Sequence, residues 1–242
     1  MLAERREASD YFGSLAGLPD AHSINTVVIF VEEQLGNFSH QYSGSAIKNE
    51  KGLTQKLCQL LNRNARKKKY PFWFEKEYME DEEIGNSPQV DIAVIDDDDN
   101  PAIDSIYYNT PKSFFVMEAK RLDKISTIRE KEYLVGRMEE NKYKDCGGVE
   151  RFKKEIHGRG LRCGAMIGYV QAYHFDHWLT TINSWIDDLI DGKIFSSVSW
   201  SEKDKLLEQG RSPETARFSS ENSRSNGVIH LHHLWVNLAA RA

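Results

Sequence analysis

Leu53, Leu57, Leu60 and Leu61 recur at helical spacing, which predicts an amphipathic helix over about residues 50–61. Asn49 is placed to cap it, and Arg66-Lys67-Lys68-Lys69 followed by Pro71 marks its end. The pattern then changes from a period near 3.6 to one near 2. Residues 72–78 alternate aromatic and charged side chains, as a half-exposed strand does, and apolar runs at 90–95 and 113–120 predict two more strands. The four aspartates Asp96–Asp99 and Pro101 break the second of these, and a loop-rich insertion runs to Lys112.

Further along, residues 126–143 read as a charged helical region. Gly147-Gly148 opens a short amphipathic helix over 149–157, and residues 163–170 form a fourth strand. A helix over 174–190 carries Trp178, Ile182, Trp185 and Leu189 on one face. The C-terminal stretch predicts a short helix near 201–208 and a strand pair at 216–220 and 228–236. At the other end, a helix is expected around 25–35, followed by a polar loop at 37–45. The order is that of an α/β domain: an antiparallel meander, then a right-handed crossover to a strand parallel to the third. One domain is expected, with residues 1–45 as an N-terminal extension, 46–192 as the core and 193–242 as an addition.

Two of the apolar strands carry a carboxylate. Asp91 lies at the start of the second, and Glu118 lies near the end of the third, two residues before Lys120. A buried strand carries such a group only when something pairs with it, because a lone desolvated charge costs several kcal/mol. Antiparallel neighbours bring the start of one strand beside the end of the next, about 4.8 Å away. Glu118 and Lys120 share a face, and Gln171 emerges just past the fourth strand at the same edge. Glu50 falls on the apolar stripe of its helix and should point at the sheet. Carboxylate oxygens are hard ligands that suit Mg²⁺ or Mn²⁺, and two close carboxylates repel one another until a cation neutralises them. Such a cation polarises a phosphate and acidifies water, and a lysine beside it stabilises developing negative charge. The competing reading is an edge-of-sheet ion pair in which Lys120 simply neutralises Glu118, although it leaves Asp91 unexplained.

This arrangement resembles the PD-(D/E)XK nuclease superfamily over roughly residues 49–173, through Glu50, Asp91 in Gln-Val-Asp-Ile-Ala-Val, and Glu118-Ala119-Lys120. The motif's proline stands three positions before Asp91, as Pro88, and the insertion after the second strand is long. The resemblance implies a restriction-endonuclease-like αβββαβ core. It implies that Asp91 and Glu118 bind Mg²⁺ or Mn²⁺ with help from the Ala119 carbonyl, that Lys120 is catalytic, and that Glu50 and Gln171 assist. Gln171 and Tyr173 resemble the Gln-plus-Tyr element some members carry after the fourth strand, at a shorter spacing. The implied activity is phosphodiester hydrolysis, as a DNA endonuclease in prokaryotic defence or restriction. An RNase of the same fold, or a non-catalytic module binding nucleic acid or protein, is the alternative.

Charge narrows the partners. A net charge of −5 excludes coating nucleic acid by bulk charge, so contacts must come from local clusters. Arg151, Lys153 and Lys154 on the glycine-led helix, and Lys68 at the end of the leucine-rich one, are the candidates. Three scattered cysteines suit a reducing compartment and no zinc site. The longest apolar run, residues 26–31, is too short for a membrane span, and no secretory core is evident at the start, so a cytoplasmic protein is expected. A homodimer, or a sensor or recognition subunit, is compatible with so compact a chain. His230 and His232 read as the polar face of a strand rather than as metal ligands.

Overall fold

The computed structural model describes residues 21–45, 47, 49–80, 88–96, 102–103, 106–107, 113–124 and 129–240. Its centre is a mixed seven-stranded sheet. The strands are β1 (Phe72–Met79), β2 (Gln89–Asp96), β3 (Ser113–Leu122), β4 (Cys163–Val170), β5 (Leu207–Arg211), β6 (Thr215–Arg224) and β7 (Gly227–Asn237). Their order across the sheet is β1-β2-β3-β4-β7-β6-β5. The β3–β4 and β4–β7 pairs are parallel, and the remaining neighbours are antiparallel. Around them lie helices α1 (Ala21–Tyr42), α2 (Glu50–Lys68), α3 (Gly148–Lys153) and α4 (Phe175–Ile190).

Each face of the sheet is covered. One apolar layer joins α1 and α2 to Ile92, Val94, Phe115, Met117, Ile167 and Val236. The other joins α3 and α4 to Val116, Met166, Leu231 and Trp235. The β4 strand has parallel neighbours on both edges and buries nearly every side chain, as expected for a strand covered on both faces. Gly168 is required there, because a Cβ would collide with the Trp235 indole.

The leucine stripe behaves as its spacing predicts. Leu53, Leu57 and Leu61 are fully buried, and the Asn49 side chain accepts from the Gly52 amide at 2.6 Å. The helix runs on to Lys68, and Lys69 closes it in the left-handed region at φ 55°.

Several expectations are corrected. The first helix continues through residues 37–42, where a polar loop was expected, because Phe38 is buried and Ser39 donates to the Asn237 carbonyl at 2.6 Å. The stretch expected to be helical up to residue 143 holds a 3₁₀ turn (Glu130–Tyr133) and a small antiparallel ribbon. Glu140 and Asn141 form its two-residue turn, both with positive φ, a hairpin geometry that helix-period reading overlooks. The α3 helix stops at Lys153, not 157, and Glu155 turns the chain at φ 57°. The helix expected near 201–208 is only a 3₁₀ turn (Glu202–Asp204), and its last two residues, 207 and 208, open β5 instead. Finally, β7 joins β4 in parallel, so residues 207–237 extend the central sheet. The Asp97–Asp99 run and most of the insertion lie outside the described residues. Among the described residues no helix is long and apolar enough to cross a membrane.

His233, on β7, is fully buried. Its Nδ1 lies 2.8 Å from the Tyr133 hydroxyl and its Nε2 2.9 Å from the Ser220 hydroxyl, while the Trp235 indole donates to Tyr133 at 2.8 Å. Burial, with the neighbouring His232 adding to it, pushes the imidazole down to about 3. An unfolded histidine titrates near 6.5, so below that pH the unfolded chain takes up a proton that the folded one refuses. The stability held above pH 6.5 is therefore lost as pH falls toward 3, at up to about 1.4 kcal/mol per pH unit from this one site. Urea melts between pH 7 and 4 should show a shallower decline for His233→Gln than for the wild type; parallel declines would refute the assignment.

Candidate functional site

The β2 and β3 strands part company at one end. Their ladder runs only to Ile92–Met117, after which β2 pairs with β1 alone and β3 with β4 alone. Extending the register one step sets Asp91 opposite Glu118, on one face. Where the ladder stops, the β3 amides on that edge need other acceptors. Asp91 Oδ2 accepts from the Ala119 amide at 2.8 Å, and Glu50 Oε2, at the start of α2, accepts from the Arg121 amide at 3.2 Å. Ala119 and Arg121 alternate along the strand, so both amides point to the edge that β2 has left.

Between these carboxylates stands Lys120. Its Nζ lies 2.9 Å from Glu118 Oε1 and 3.6 Å from Glu50 Oε1. Glu118 is only 2 % exposed. Arg151 from α3 approaches the same Oε1 at 3.4 Å, and His157 Nε2 faces Oε2 at 3.5 Å. Glu118 Oε2 and His157 Nε2 are both buried without a hydrogen-bond partner.

Burial works against ionisation of Glu118, but Lys120, His157 and Arg151 together overcome it and hold the carboxyl at about 2. Asp91 goes the other way: burial first, then the Glu118 charge, push it up to about 7. Glu50 is also raised, by burial against the pull of Lys120. Burial opposes the charge on Lys120, yet Glu118, Glu50 and Asp91 raise its pKa and keep it an ammonium. Three carboxylates thus share one ammonium, with one guanidinium at the margin.

The other expected residues fall into two groups. Gln171 stands at the same strand end but does not join the charge cluster. Its Oε1 accepts from Arg121 Nε at 2.5 Å and its amide donates to the Ile47 carbonyl at 3.1 Å, which with Asp123 fixes the Arg121 side chain. Tyr173, at φ 62°, packs its ring against His177 at a tilt of 31°, with ring centres 4.1 Å apart.

The basic residues proposed for nucleic acid are largely committed elsewhere. Lys153 is a correction: it is buried, paired with Asp204 and set 4.6 Å from the centre of the Trp200 ring, so it faces no phosphate backbone. Arg151 points inward at Glu118. Lys68 ties α2 to α1 through Glu33 at 2.7 Å, and Lys154 pairs with Asp145 at 2.5 Å.

Sequence reading overlooked two participants. His157 is fully buried, and its Nδ1 lies 2.9 Å from Glu80 Oε2, while Glu80 Oε1 accepts from the Gly158 amide at 2.6 Å. A chain Glu80–His157–Glu118 therefore backs the cluster. No spacing links these three residues in the sequence; the α3-to-β4 loop alone brings them together.

The donor chemistry suits a hard divalent cation. Carboxylates outnumber cations, burial and then the Glu118 charge push Asp91 toward neutrality, and Glu118 Oε2 makes no hydrogen bond. Among the described residues no group of three or more His, Cys, Asp or Glu is gathered as a ready-made metal cluster. Magnesium does not require one, since it is commonly held by one or two carboxylates and waters. Compared with protein-family models, with curated proteins and with solved structures, the chain finds no match in any of the three.

Two Asp91 variants separate its contributions. Asp91→Ala leaves the Ala119 amide unpaired and should cost about 1–3 kcal/mol. Asp91→Asn keeps an acceptor oxygen and removes the repulsion with Glu118, so its thermal midpoint should match or exceed that of the wild type. Equal losses from both substitutions would show that the negative charge itself is what stabilises this edge.

Proposed function

We propose that the chain is a metal-dependent nuclease that hydrolyses phosphodiester bonds, with DNA as the favoured substrate and prokaryotic defence or restriction as its setting. The observation that carries this reading is the convergence of Asp91, Glu118, Lys120 and Glu50 at the point where β2 and β3 separate. The order α2-β1-β2-β3-α3-β4 matches the αβββαβ succession of restriction-endonuclease-like cores, which supports the family resemblance.

In this reading Asp91 and Glu118 hold Mg²⁺ or Mn²⁺, with the Ala119 carbonyl assisting. The bound cation supplies polarisation of the scissile phosphate and acidification of the attacking water. Lys120 sets its compact positive charge beside the phosphate oxygens as negative charge builds up there. Glu50 orients the Lys120 ammonium and anchors the start of α2 to the Arg121 amide. Arg121, held by Gln171 and Asp123, stands at the same strand end to meet a neighbouring phosphate. His157, backed by Glu80, keeps the Glu118 carboxylate from turning away.

A second reading is favoured by the oxygens that Asp91 and Glu50 devote to β3 amides: the cluster closes a splayed sheet and performs no chemistry. The two readings diverge in solution. Incubation with plasmid DNA and with RNA should give cleavage with Mg²⁺ or Mn²⁺ and none with EDTA. Lys120→Ala and Glu118→Ala should each lose several orders of magnitude of rate. Mg²⁺ should also raise the thermal midpoint of the wild type and not that of Asp91→Asn, a readout independent of turnover. Undiminished cleavage by Lys120→Ala, or no cleavage of either polymer, would decide for the structural reading.

A further inference from the structure

Away from the carboxylates, the loop between α3 and β4 and the turn between β6 and β7 enclose an open cleft of about 700 Å³. Its walls carry Arg159, Arg162, Arg224 and His230, with Lys154 already paired to Asp145, against one lining acid, Glu155. That acid is already engaged: its Oε1 accepts from the Ser225 hydroxyl at 2.8 Å and the Asn226 amide at 3.3 Å. Arg224 braces the loop, donating to the carbonyls of His157, Gly158 and Leu161 at 2.9–3.2 Å. Arg159 and Arg162 are exposed, and neither has an acidic partner among the described residues. In a chain of net charge −5, this is a local excess of positive charge on a braced scaffold.

We infer that this cleft binds the phosphate backbone of a nucleic-acid duplex, with Arg159 and Arg162 as its principal contacts. Guanidinium forks suit phosphate oxygens, and the cations outnumber what one phosphate needs. The lining holds no Phe, Tyr or Trp, so it lacks the stacking platform by which single strands are held. Nor does it carry Asn or Gln apart from Asn226, whose side chain faces Glu155 at 3.4 Å, so it lacks the amides that read adenine. The contact proposed is with the backbone, where clustered guanidinium groups meet successive phosphates. The loop that carries Arg159 also carries His157, which touches Glu118, so a duplex held here lies one loop away from the charge cluster. The choice of nucleic acid over other polyanions rests on the nuclease reading.

The test measures binding without turnover: fluorescence anisotropy of a labelled 20-base-pair duplex and its single strand, in EDTA, over a range of NaCl concentrations. The duplex should bind about tenfold or more tightly than the single strand. The double variant Arg159→Ala/Arg162→Ala should lower duplex affinity about tenfold or more and reduce the salt slope by about 2. Its thermal midpoint should stay unchanged, since neither side chain holds the fold. Lys193→Ala/Lys203→Ala removes the same charge elsewhere and should leave the slope intact. The inference is overturned if the wild type does not bind the duplex, if both double variants lose affinity equally, if single strands bind as well as duplexes, or if millimolar inorganic phosphate displaces the duplex completely. Localised binding without any cleavage would uphold the cleft and defeat the nuclease reading. Cleavage that is indifferent to Arg159 and Arg162 would do the reverse.

Discussion

The parting of β2 from β3 is the constraint around which the rest of this molecule is arranged. Ending a ladder inside a covered sheet leaves amides without acceptors, and an unmet buried amide costs about 1–3 kcal/mol. Asp91 and Glu50 supply the missing oxygens from two different elements. Bringing them there places two more carboxyl groups beside Glu118, and Lys120 pairs with Glu118 and Glu50. Backbone satisfaction and the charge cluster are one structural event.

That coupling explains why the carboxylates end up so unequal. Glu118, enclosed by Lys120, Arg151 and His157, stays ionised despite its burial. Asp91 meets the same burial with less compensation and is pushed toward neutrality. Groups of one chemical type driven in opposite directions within a few ångströms are what acid–base and metal chemistry use. The Glu80–His157 pair stiffens the arrangement from behind, through a loop that Arg224 in turn pins by its carbonyls.

Much of this was legible along the chain. The leucine stripe, the apolar runs of β2, β3 and β4, and the positions of Asp91, Glu118 and Lys120 all follow from short-range periodicity. Such signals survive because each reflects a local choice between burial and exposure. Failures came where local preference and tertiary context disagreed. Residues 137–144 carry charge like a helix surface, yet Glu140 and Asn141 adopt positive φ and make a ribbon. Lys153 looked like a phosphate contact, but Asp204, some fifty residues later, draws it into the interior.

Side-chain periodicity and residue type are properties of neighbours along the chain, and they were enough to set the α/β class, the alternation of strands and helices, and which acids sit on buried strands. What they could not specify is which distant groups those acids would meet. His157 and Arg151 reach Glu118, and Glu80 reaches His157, only because a parallel crossover folds the α3-to-β4 loop back over the sheet, and β7 joins β4 from the far end of the chain. Electrostatic partnership depends on distance in space, and nothing in sequence spacing encodes that distance until the sheet has closed.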